Sequence, residues 1–247
     1  MNWRSNMVQD GIILSNVLLT EDTYRMEIAC DSSHAKPGQF VQVEVPGYFL
    51  RRPISICEIT SHGLVLVYKV VGQGTQKMAE MKEGNINLFG PLGTGFPVEA
   101  KEHVVLMGGG VGVPPLYETA KQYLHQGTKV DVVLGFNTKN QAIYLEEFEA
   151  LGARVTVASM DGSIGVKGTV IDAMQEKEIP GDFILACGPL PMLKAIQNTY
   201  TKGYISLEAR MACGMGACMG CVVKDQEGHS LRVCKDGPVF EIGKVAL

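Results

Sequence analysis

The chain has no excess of positive charge and no apolar run long enough for a membrane helix. Its 22 lysines and arginines are outnumbered by 26 aspartates and glutamates, which leaves no polybasic surface to neutralise the phosphates of a nucleic acid. The longest uncharged stretches, residues 84–98 and 104–117, contain glycine and proline and fall short of the roughly 20 residues that a membrane span needs. The amino terminus lacks the small-residue cleavage site of a signal peptide. These absences predict a cytoplasmic protein that binds neither nucleic acid nor a membrane.

Disulfide bonds are also not expected, because seven cysteines cannot all pair within one chain and cytoplasmic thiols stay reduced. The cysteines are unevenly placed. Cys30, Cys57 and Cys187 are scattered among apolar residues, and the first two have the setting of small core side chains. The other four lie within the last 35 residues. This crowding predicts a metal-binding module at the carboxyl-terminal end.

The four terminal cysteines follow a defined spacing. They are Cys213, Cys218, Cys221 and Cys234. The resulting C-x4-C-x2-C…C pattern is typical of plant-type [2Fe-2S] sites, and the intervening glycines let the backbone curve around a small anionic group. No charged side chain lies between the first and third cysteines, so backbone N–H groups are expected to offset the negative charge of the cluster. Two alternatives stay open: a zinc ion held by the four cysteines, and a disulfide or unligated thiols.

Outside the cysteine segment, the hydrophobic pattern changes once along the chain. Up to about residue 98 it consists of short β-type runs separated by glycine, proline and asparagine, which predicts an antiparallel β-barrel. Four strand-then-helix units follow, and they predict a doubly wound sheet of parallel strands. We therefore expect three parts: a barrel over residues 1–101, an α/β domain over residues 102–208 and a cysteine module over residues 209–247.

A pair of arginines stands out in the predicted barrel. Arg51 and Arg52 precede Pro53, Ile54 and Ser55, so two guanidinium groups lie beside an extended segment that ends in a hydroxyl. An arginine can bind a diphosphate through two parallel hydrogen bonds. The motif is therefore either a nucleotide-binding element or a solvated surface pair.

A second candidate phosphate site follows a strand that contains Val67, Tyr68 and Lys69. This strand runs into a glycine turn with Gly74 and Thr75, and a short helical pattern comes next. Free N–H groups and the positive end of the helix dipole favour a phosphate at such a junction.

Glycines also crowd the end of the first strand of the α/β domain. They are Gly108, Gly109, Gly110 and Gly112. Glycines at a strand end let the backbone approach a pyrophosphate closely, although the spacing is not the G-x-G-x-x-G fingerprint of dehydrogenases. The strand of the last strand–helix unit ends in Cys187, Gly188 and Pro189, where Cys187 is either a functional thiol or a small buried side chain.

Three motifs, at residues 52–55, 72–75 and 90–96, together resemble the FAD domain of the ferredoxin-NADP reductase superfamily. The resemblance implies that Arg52 binds the FAD diphosphate and that Ser55 lies near flavin N5, with Ile54 in place of the usual aromatic residue. It also implies that the glycine turn after the first α/β strand binds a pyridine nucleotide and that Cys187 lies beside the nicotinamide ring. Asp161 would repel a 2′-phosphate, so we expect NAD(H) as the nucleotide.

The order of the three parts closely resembles the electron-transfer subunits of NAD-dependent dihydroorotate dehydrogenase B. This implies a relay of FAD and a [2Fe-2S] cluster between NAD(H) and an FMN-containing catalytic subunit, in a heterotetramer with two of each subunit, acting in pyrimidine biosynthesis. No site for an organic substrate is recognisable, so electrons are expected to come from or go to another protein. Two alternatives stay open: the small subunit of another NAD(P)H-linked iron–sulfur flavoprotein, and a zinc-stabilised docking module without redox activity.

Overall fold

The computed structural model describes residues 7–247 and begins with a closed barrel. Its strands are β1 (Val8–Leu18), β2 (Thr23–Ala29), β3 (Phe40–Val43), β4 (Arg52–Thr60), β5 (Gly63–Lys69) and β6 (Gly84–Leu92). They pair antiparallel in the order β1-β2-β5-β4-β3-β6, and helix α1 (Gln73–Glu80) connects β5 to β6. Inward-facing apolar side chains such as Ile28, Leu66 and Leu88 fill the interior. The predicted antiparallel barrel is confirmed.

The rest of the chain forms a seven-stranded sheet, a hairpin and five helices within the described residues. The strands are β7 (His103–Gly109), β8 (Lys129–Phe136), β9 (Arg154–Ser159), β10 (Val166–Lys167), β11 (Ile184–Cys187), β12 (Gly203–Ser206), β13 (Val222–Lys224), β14 (Ser230–Arg232) and β15 (Val239–Glu241). The helices are α2 (Tyr117–His125), α3 (Leu145–Ala150), α4 (Val170–Glu176), α5 (Leu190–Thr199) and α6 (Val233–Asp236). Over residues 7–247, no helix has the length and apolar character to cross a membrane.

The large sheet is covered by helices on both faces. Its order is β10-β9-β8-β7-β11-β12-β15, and every pair is parallel except β12 with β15. Successive residues of β7 point to opposite faces: Val105 packs with residues of α4 and α5, whereas Leu106 packs with residues of α2 and α3. Because both faces are buried, the strands have continuous apolar runs. The predicted doubly wound sheet is confirmed.

Two predicted elements are shorter than their sequence patterns indicated. The run QAIYLEEFEALG predicts a helix from Gln141, but α3 begins only at Leu145, because Tyr144 has a left-handed backbone with φ of 65° that does not continue a helix. The run YISLEAR predicts a strand from Tyr204 to Arg210, but β12 ends at Ser206, the last residue that pairs with β15. Residues 207–210 therefore leave the sheet and are available to line a cavity.

The cysteine module is anchored to the sheet. Strands β13 and β14 form a hairpin, and α6 carries Cys234. Strand β15 then pairs with β12 at the edge of the large sheet, and its Phe240 packs in the same core as Ile205. The segment predicted as a separate module thus shares its hydrophobic core with the α/β part.

A buried carboxylate joins the barrel to the α/β part. Glu118 of α2 is 4% exposed and accepts the N–H of Ile59 in β4 at 2.9 Å. One helical turn later, Lys121 donates to Glu58 at 2.9 Å. Because a buried carboxylate is tolerated only when it is hydrogen-bonded, these contacts fix α2 against the barrel. The cleft between the two parts therefore has defined walls.

A second buried carboxylate lies near the amino-terminal ends of the parallel strands. Asp131 of β8 is 3% exposed and receives hydrogen bonds from Arg154 of β9 and from His103 of β7, the latter at 2.6 Å. Burial acts to raise the pKa of Asp131, but the hydrogen bonds from Arg154 and His103 outweigh it and lower the pKa below its usual value. The carboxylate therefore ties three neighbouring strands together in its charged form.

Replacing Asp131 by Asn should lower the free energy of unfolding at neutral pH by about 1 to 2 kcal/mol, because the variant loses charge-assisted hydrogen bonds. The pKa of Asp131 is depressed in the folded state, so its contribution is present above the unfolded pKa of about 4 and is lost as the pH falls through the folded value. The difference between wild type and D131N in urea denaturation should therefore shrink on acidification. A difference that is equal at neutral and acidic pH, or that is matched by the exposed-site variant D182N, would contradict this account.

Candidate functional site

A cavity of about 860 Å³ opens between the barrel and the carboxyl-terminal edge of the sheet. Residues predicted to bind FAD line its barrel wall: Arg52, Pro53, Ile54, Ser55, Val67, Tyr68, Lys69 and Thr75. The facing wall consists of residues 207–211 together with Val111 and Pro238. Its volume lies within the range of small-molecule and cofactor sites, about 300 to 1,000 Å³. Strands β4 and β5 bring the predicted flavin residues together because they are paired neighbours in the barrel.

The two arginines of the motif have different surroundings. Arg51 donates to Glu44 at 2.9 Å and to the side chain of Asn87 at 2.6 Å, so its guanidinium is held by the barrel. The guanidinium of Arg52 instead donates to the carbonyl of Leu50 and lies 4.7 Å from the centre of the Tyr48 ring. Of the two, Arg51 is paired with a carboxylate, whereas Arg52 has no carboxylate partner among the described residues and can bind an anionic ligand in the cavity.

The glycine turn after β5 makes room for that guanidinium. A Cβ atom at Gly74 would overlap the Arg52 side chain, so Gly74 contributes space at this position. A smaller pocket of about 310 Å³ adjoins the main cavity here and is lined by Gly74, Thr75 and Arg52. The hydroxyl of Thr75 accepts the N–H groups of Val71 at 2.9 Å and Gly72 at 3.2 Å. Those two amides are therefore used inside the turn.

The two glycine turns of the α/β part meet at the ends of adjacent strands. Gly108 of β7 pairs in register with Cys187 of β11, and the backbone of Gly112 packs against the carbonyl of Cys187. A Cβ atom at Gly188 would lie 3.1 Å from the nitrogen of Gly109. Such close backbone approaches require glycine. The residues predicted to bind the nucleotide thus lie together at the carboxyl ends of β7 and β11, and Val111 within the first turn lines the flavin cavity. They are Gly108, Gly109, Gly110, Gly112, Cys187, Gly188 and Pro189.

Asp161 lies at the same edge of the sheet but two strands away from β7. It follows β9, and its carboxylate accepts the N–H of Ser163 at 2.9 Å and the hydroxyl of Ser163 at 2.6 Å. These hydrogen bonds lower the pKa of Asp161. A charged carboxylate in this loop is consistent with discrimination against a 2′-phosphate, and its contact with NAD(H) stays a prediction.

Ser55 and Cys187 are predicted to lie near the flavin and the nicotinamide ring, respectively. Only one of them lines the cavity. Ser55 lines the cavity, whereas Cys187 is buried behind it, and burial raises the pKa of the thiol well above its ordinary value. The sequence analysis missed Glu208, a carboxyl that lines the cavity and whose charge acts to raise the pKa of Cys187. Desolvation by the cavity walls raises the pKa of Glu208 as well, although the residue is reached by solvent. Only its position directly after the last parallel strand could have indicated it.

Backbone N–H groups in the cysteine loop point at the sulfur atoms. The Sγ of Cys213 accepts from Ala217 at 3.3 Å and from Cys218 at 3.4 Å, and the Sγ of Cys234 accepts from Gly216 at 3.1 Å. The backbone of Cys234 in turn donates to Cys221 at 3.4 Å. The prediction that backbone amides face the sulfurs is therefore fulfilled by four hydrogen bonds.

The thiols also affect one another electrostatically: Cys218 acts on the pKa of Cys213, and Cys221 acts on the pKa of Cys234. Burial acts to raise the pKa of Cys213, but hydrogen bonds from the backbone of Cys218, Met215 and Ala217 outweigh it and lower that pKa to about 6. Burial and the Cys221 thiol raise the pKa of Cys234 to about 12.

This donor set fits a cluster of two irons. Across residues 7–247, no three His, Cys, Asp or Glu side chains are grouped as ligands of one metal ion. The C-x4-C-x2-C…C spacing and the four backbone N–H groups directed at the sulfurs match a [2Fe-2S] cluster, which takes four cysteine ligands. The N–H groups directed at sulfur supply the hydrogen bonds that such clusters receive from the protein. Cys213, Cys218, Cys221 and Cys234 are thus the residues that would hold the cluster.

Two cations that the sequence analysis missed approach the same loop. Arg232 donates to the carbonyl of Gly216 at 3.1 Å, and the aliphatic chain of Lys235 packs over Gly216. Both residues flank Cys234 in the chain, and the fold returns them to the loop that contains Cys213. The charge of the cluster is therefore not balanced by backbone amides alone.

The cavity and the cysteine loop share one stretch of backbone. Met211 lines the cavity, and Cys213 follows two residues later, so their Cα atoms are at most about 7 Å apart. Gln42 of β3 donates to the carbonyl of Ala212 at 3.2 Å, and Thr94 donates through its hydroxyl to the carbonyl of Val239 at 3.0 Å. The barrel thus holds the cysteine module both before Cys213 and after Cys234.

Comparison with known proteins supports the assignment of these parts. Residues 106–198 match an oxidoreductase NAD-binding domain, and residues 208–246 match the iron–sulfur cluster binding domain of dihydroorotate dehydrogenase B. A solved structure of an NADH-dependent reduced ferredoxin-NADP oxidoreductase is 33% identical, with a TM-score of 0.87 over 96% of this chain and 89% of that chain. A ferredoxin NADP+ reductase from Neisseria gonorrhoeae, 18% identical with a TM-score of 0.66 over 78% of this chain and 90% of that chain, shares the fold. The chain is an oxidoreductase of the ferredoxin-NADP reductase fold whose cofactors are FAD, a [2Fe-2S] cluster and NAD(H).

Relatives along the whole chain make the assignment more specific. A protein from Fusobacterium nucleatum named dihydroorotate dehydrogenase B (NAD(+)), electron transfer subunit, is 42% identical over 94% of this chain and 96% of its own length. A protein of the same name from Bacillus mycoides is also 42% identical, over 97% of this chain and 98% of its own length. The chain belongs to the family of dihydroorotate dehydrogenase B electron transfer subunits.

Replacing Arg52 by Met should weaken FAD binding by about 10- to 150-fold, because a charge-assisted hydrogen bond to a phosphate contributes about 1.5 to 3 kcal/mol. FAD retention can be measured by absorbance after gel filtration and by titration of the apoprotein with FAD. K77M removes an equal charge from the exposed face of α1 and should retain FAD. Equal retention by R52M and wild type would refute the assignment of Arg52 to the diphosphate.

Proposed function

We propose that the chain passes electrons from the FMN of a dihydroorotate dehydrogenase catalytic subunit, through the [2Fe-2S] cluster and FAD, to NAD+. The observation that carries this proposal is the shared backbone of residues 207–213, which lines the candidate flavin cavity and continues into the first cluster cysteine. A chain that only bound a nucleotide would not need its cysteine loop tied to the flavin cavity.

The chemistry itself belongs to the cofactors: bound FAD exchanges two electrons with a nicotinamide and single electrons with an iron–sulfur centre. The chain supplies binding and orientation. Arg52 holds the diphosphate of FAD, Ser55 faces the flavin from the barrel wall, and Glu208 faces the cavity from the opposite wall. The thiol of Cys187 stays protonated because of its burial, so it acts by packing and not as a nucleophile.

The nucleotide is proposed to bind on the surface that the two glycine turns form. Val111, within the first turn, lines the flavin cavity, so a nicotinamide bound against that turn would lie next to the flavin. This is the edge where parallel α/β sheets bind ligands, at the carboxyl ends of the strands. The charge of Asp161 favours NAD(H) over NADP(H).

The exposed side of the cysteine loop is the proposed contact with the catalytic subunit. Cys218 is exposed, and Met215 and Met219 beside it are 46% and 52% exposed. Flexible apolar methionines around a redox centre are suited to exclude water when a partner docks. By family resemblance we propose two copies of each subunit, and the seven unpaired cysteines favour a reducing compartment, the cytoplasm.

A second candidate function is electron transfer between NAD(P)H and ferredoxin. The observation that favours it is the similarity, at 33% identity and over 96% of this chain, to the NADH-dependent reduced ferredoxin-NADP oxidoreductase structure. Identities of 42% to dihydroorotate dehydrogenase B electron transfer subunits favour the first candidate. Both candidates use the same flavin, nucleotide and cluster residues, so the partner protein distinguishes them.

Co-expression with an FMN-containing dihydroorotate dehydrogenase subunit should yield a complex that reduces NAD+ when dihydroorotate is added. The purified complex should contain FAD, iron and acid-labile sulfide. C218S is expected to lose cluster-dependent NAD+ reduction while it retains FAD, because one of the four iron ligands is replaced.

K224M, which removes a charge from the exposed hairpin and leaves the cysteines intact, is the control and should be as active as wild type. Zinc in place of iron would refute the cluster. A stable, cofactor-loaded complex that fails with dihydroorotate but reduces ferredoxin would refute the first candidate and support the second.

A further inference from the structure

Arg232 is fixed beside the cysteine loop by Asp236. Its backbone N–H donates to the carboxylate of Asp236 at 2.8 Å, and its Nε and Nη2 atoms donate to the two oxygens of that carboxylate at 2.9 and 3.2 Å. This two-pronged contact fixes the plane of the guanidinium. The Nη1 atom remains directed at the loop, where it donates to the carbonyl of Gly216 at 3.1 Å.

The carbonyl of Gly216 belongs to the same peptide group as the N–H of Ala217. That N–H donates to the Sγ of Cys213 at 3.3 Å. A cation at the oxygen end of a peptide polarises it and strengthens the hydrogen bond that its N–H makes at the other end. The contacts therefore form one chain of hydrogen bonds from the guanidinium of Arg232, through a single peptide group, to the sulfur of Cys213.

We propose that Arg232 raises the reduction potential of the [2Fe-2S] cluster through this peptide group. The proposal rests on the proposed occupancy of the four cysteines by the cluster. Reduction adds one negative charge to the cluster, so a stronger N–H···S hydrogen bond stabilises the reduced state more than the oxidised state. Arg232 is a positioning residue, because it acts on the cluster through the backbone of the loop.

Lys235 provides an internal comparison. It brings a second positive charge to the same loop, since its aliphatic chain packs over Gly216, but Lys235 is exposed to solvent. A charge in solvent is screened and acts only through space. If the potential depended on nearby charge alone, removal of either cation would have similar consequences. If Arg232 acts through the hydrogen-bonded peptide group, its removal changes the reduction potential much more than removal of Lys235 does.

The experiment is a redox titration of the full chain loaded with FAD and the cluster, monitored by electron paramagnetic resonance of the reduced cluster and by flavin absorbance. R232M should shift the potential of the cluster to a more negative value and leave that of FAD unchanged. K235M should shift it by less than half as much. The g values of the reduced cluster should change in R232M and not in K235M, because only the former alters a hydrogen bond to a ligand sulfur.

R232K keeps the charge without the planar fork and serves as the second variant in case R232M does not retain its cluster. It should also shift the potential to a more negative value, by a smaller amount. An unchanged potential in R232K, or equal shifts in R232M and K235M, would overturn the hydrogen-bonded route. Absence of a cluster from the wild-type chain would instead refute the proposed function, so the two failures are distinguishable.

Discussion

Electron transfer within one chain depends on two centres that are held close and at a fixed distance, and here a single stretch of backbone meets that constraint. Residues 207–213 leave the last parallel strand, line the cavity and enter the cysteine loop without an intervening linker. The remaining architecture keeps this stretch in place. Strand β15 pairs with β12 behind it, and Gln42 and Thr94 of the barrel hold the cysteine module on either side. Each contact uses backbone groups that would otherwise need water.

Electrostatics explains the remaining features of the two sites. FAD and an iron–sulfur cluster are both anionic, yet the chain has a net charge of −4 and little positive charge to offer. The chain places its positive charges and hydrogen-bond donors next to the two cofactor sites. Arg52 and Arg210 line the cavity, four backbone N–H groups donate to the sulfurs, and Arg232 donates to the carbonyl of Gly216 in the cysteine loop. Hydrogen bonds made directly to the sulfurs act more strongly than distant surface charges because they act at short range, where salt and water screen them least.

Much of the fold was predictable because the sequence is locally consistent. Period-2 runs predicted the barrel, and strand–helix alternation predicted the parallel sheet. The predicted boundaries of helices and strands were wrong where the backbone conformation overrides the hydrophobic pattern. The apolar run after Gln141 could not reveal the left-handed Tyr144, and the run after Tyr204 could not reveal that pairing ends at Ser206. At the candidate sites, the sequence motifs predicted residues that line the cavity, but they did not indicate Glu208, Gln42 and Arg232, because the neighbours of those residues come from distant parts of the chain.

By itself the sequence determined the class of chemistry. The cysteine spacing specifies how many thiolates a short loop can direct at one centre. The glycine turns specify where a nucleotide can approach the backbone. Only the tertiary structure determined which charged groups and which cavity-lining residues surround those motifs. It paired Arg51 with Glu44 and left Arg52 at the cavity, used the Val71 and Gly72 amides inside the glycine turn, and brought Arg232 to the loop of Cys213. The physical reason is separation along the chain. The geometry of a motif is set by residues that are adjacent in sequence, whereas its electrostatic and packing environment is set by distant residues that only folding brings together.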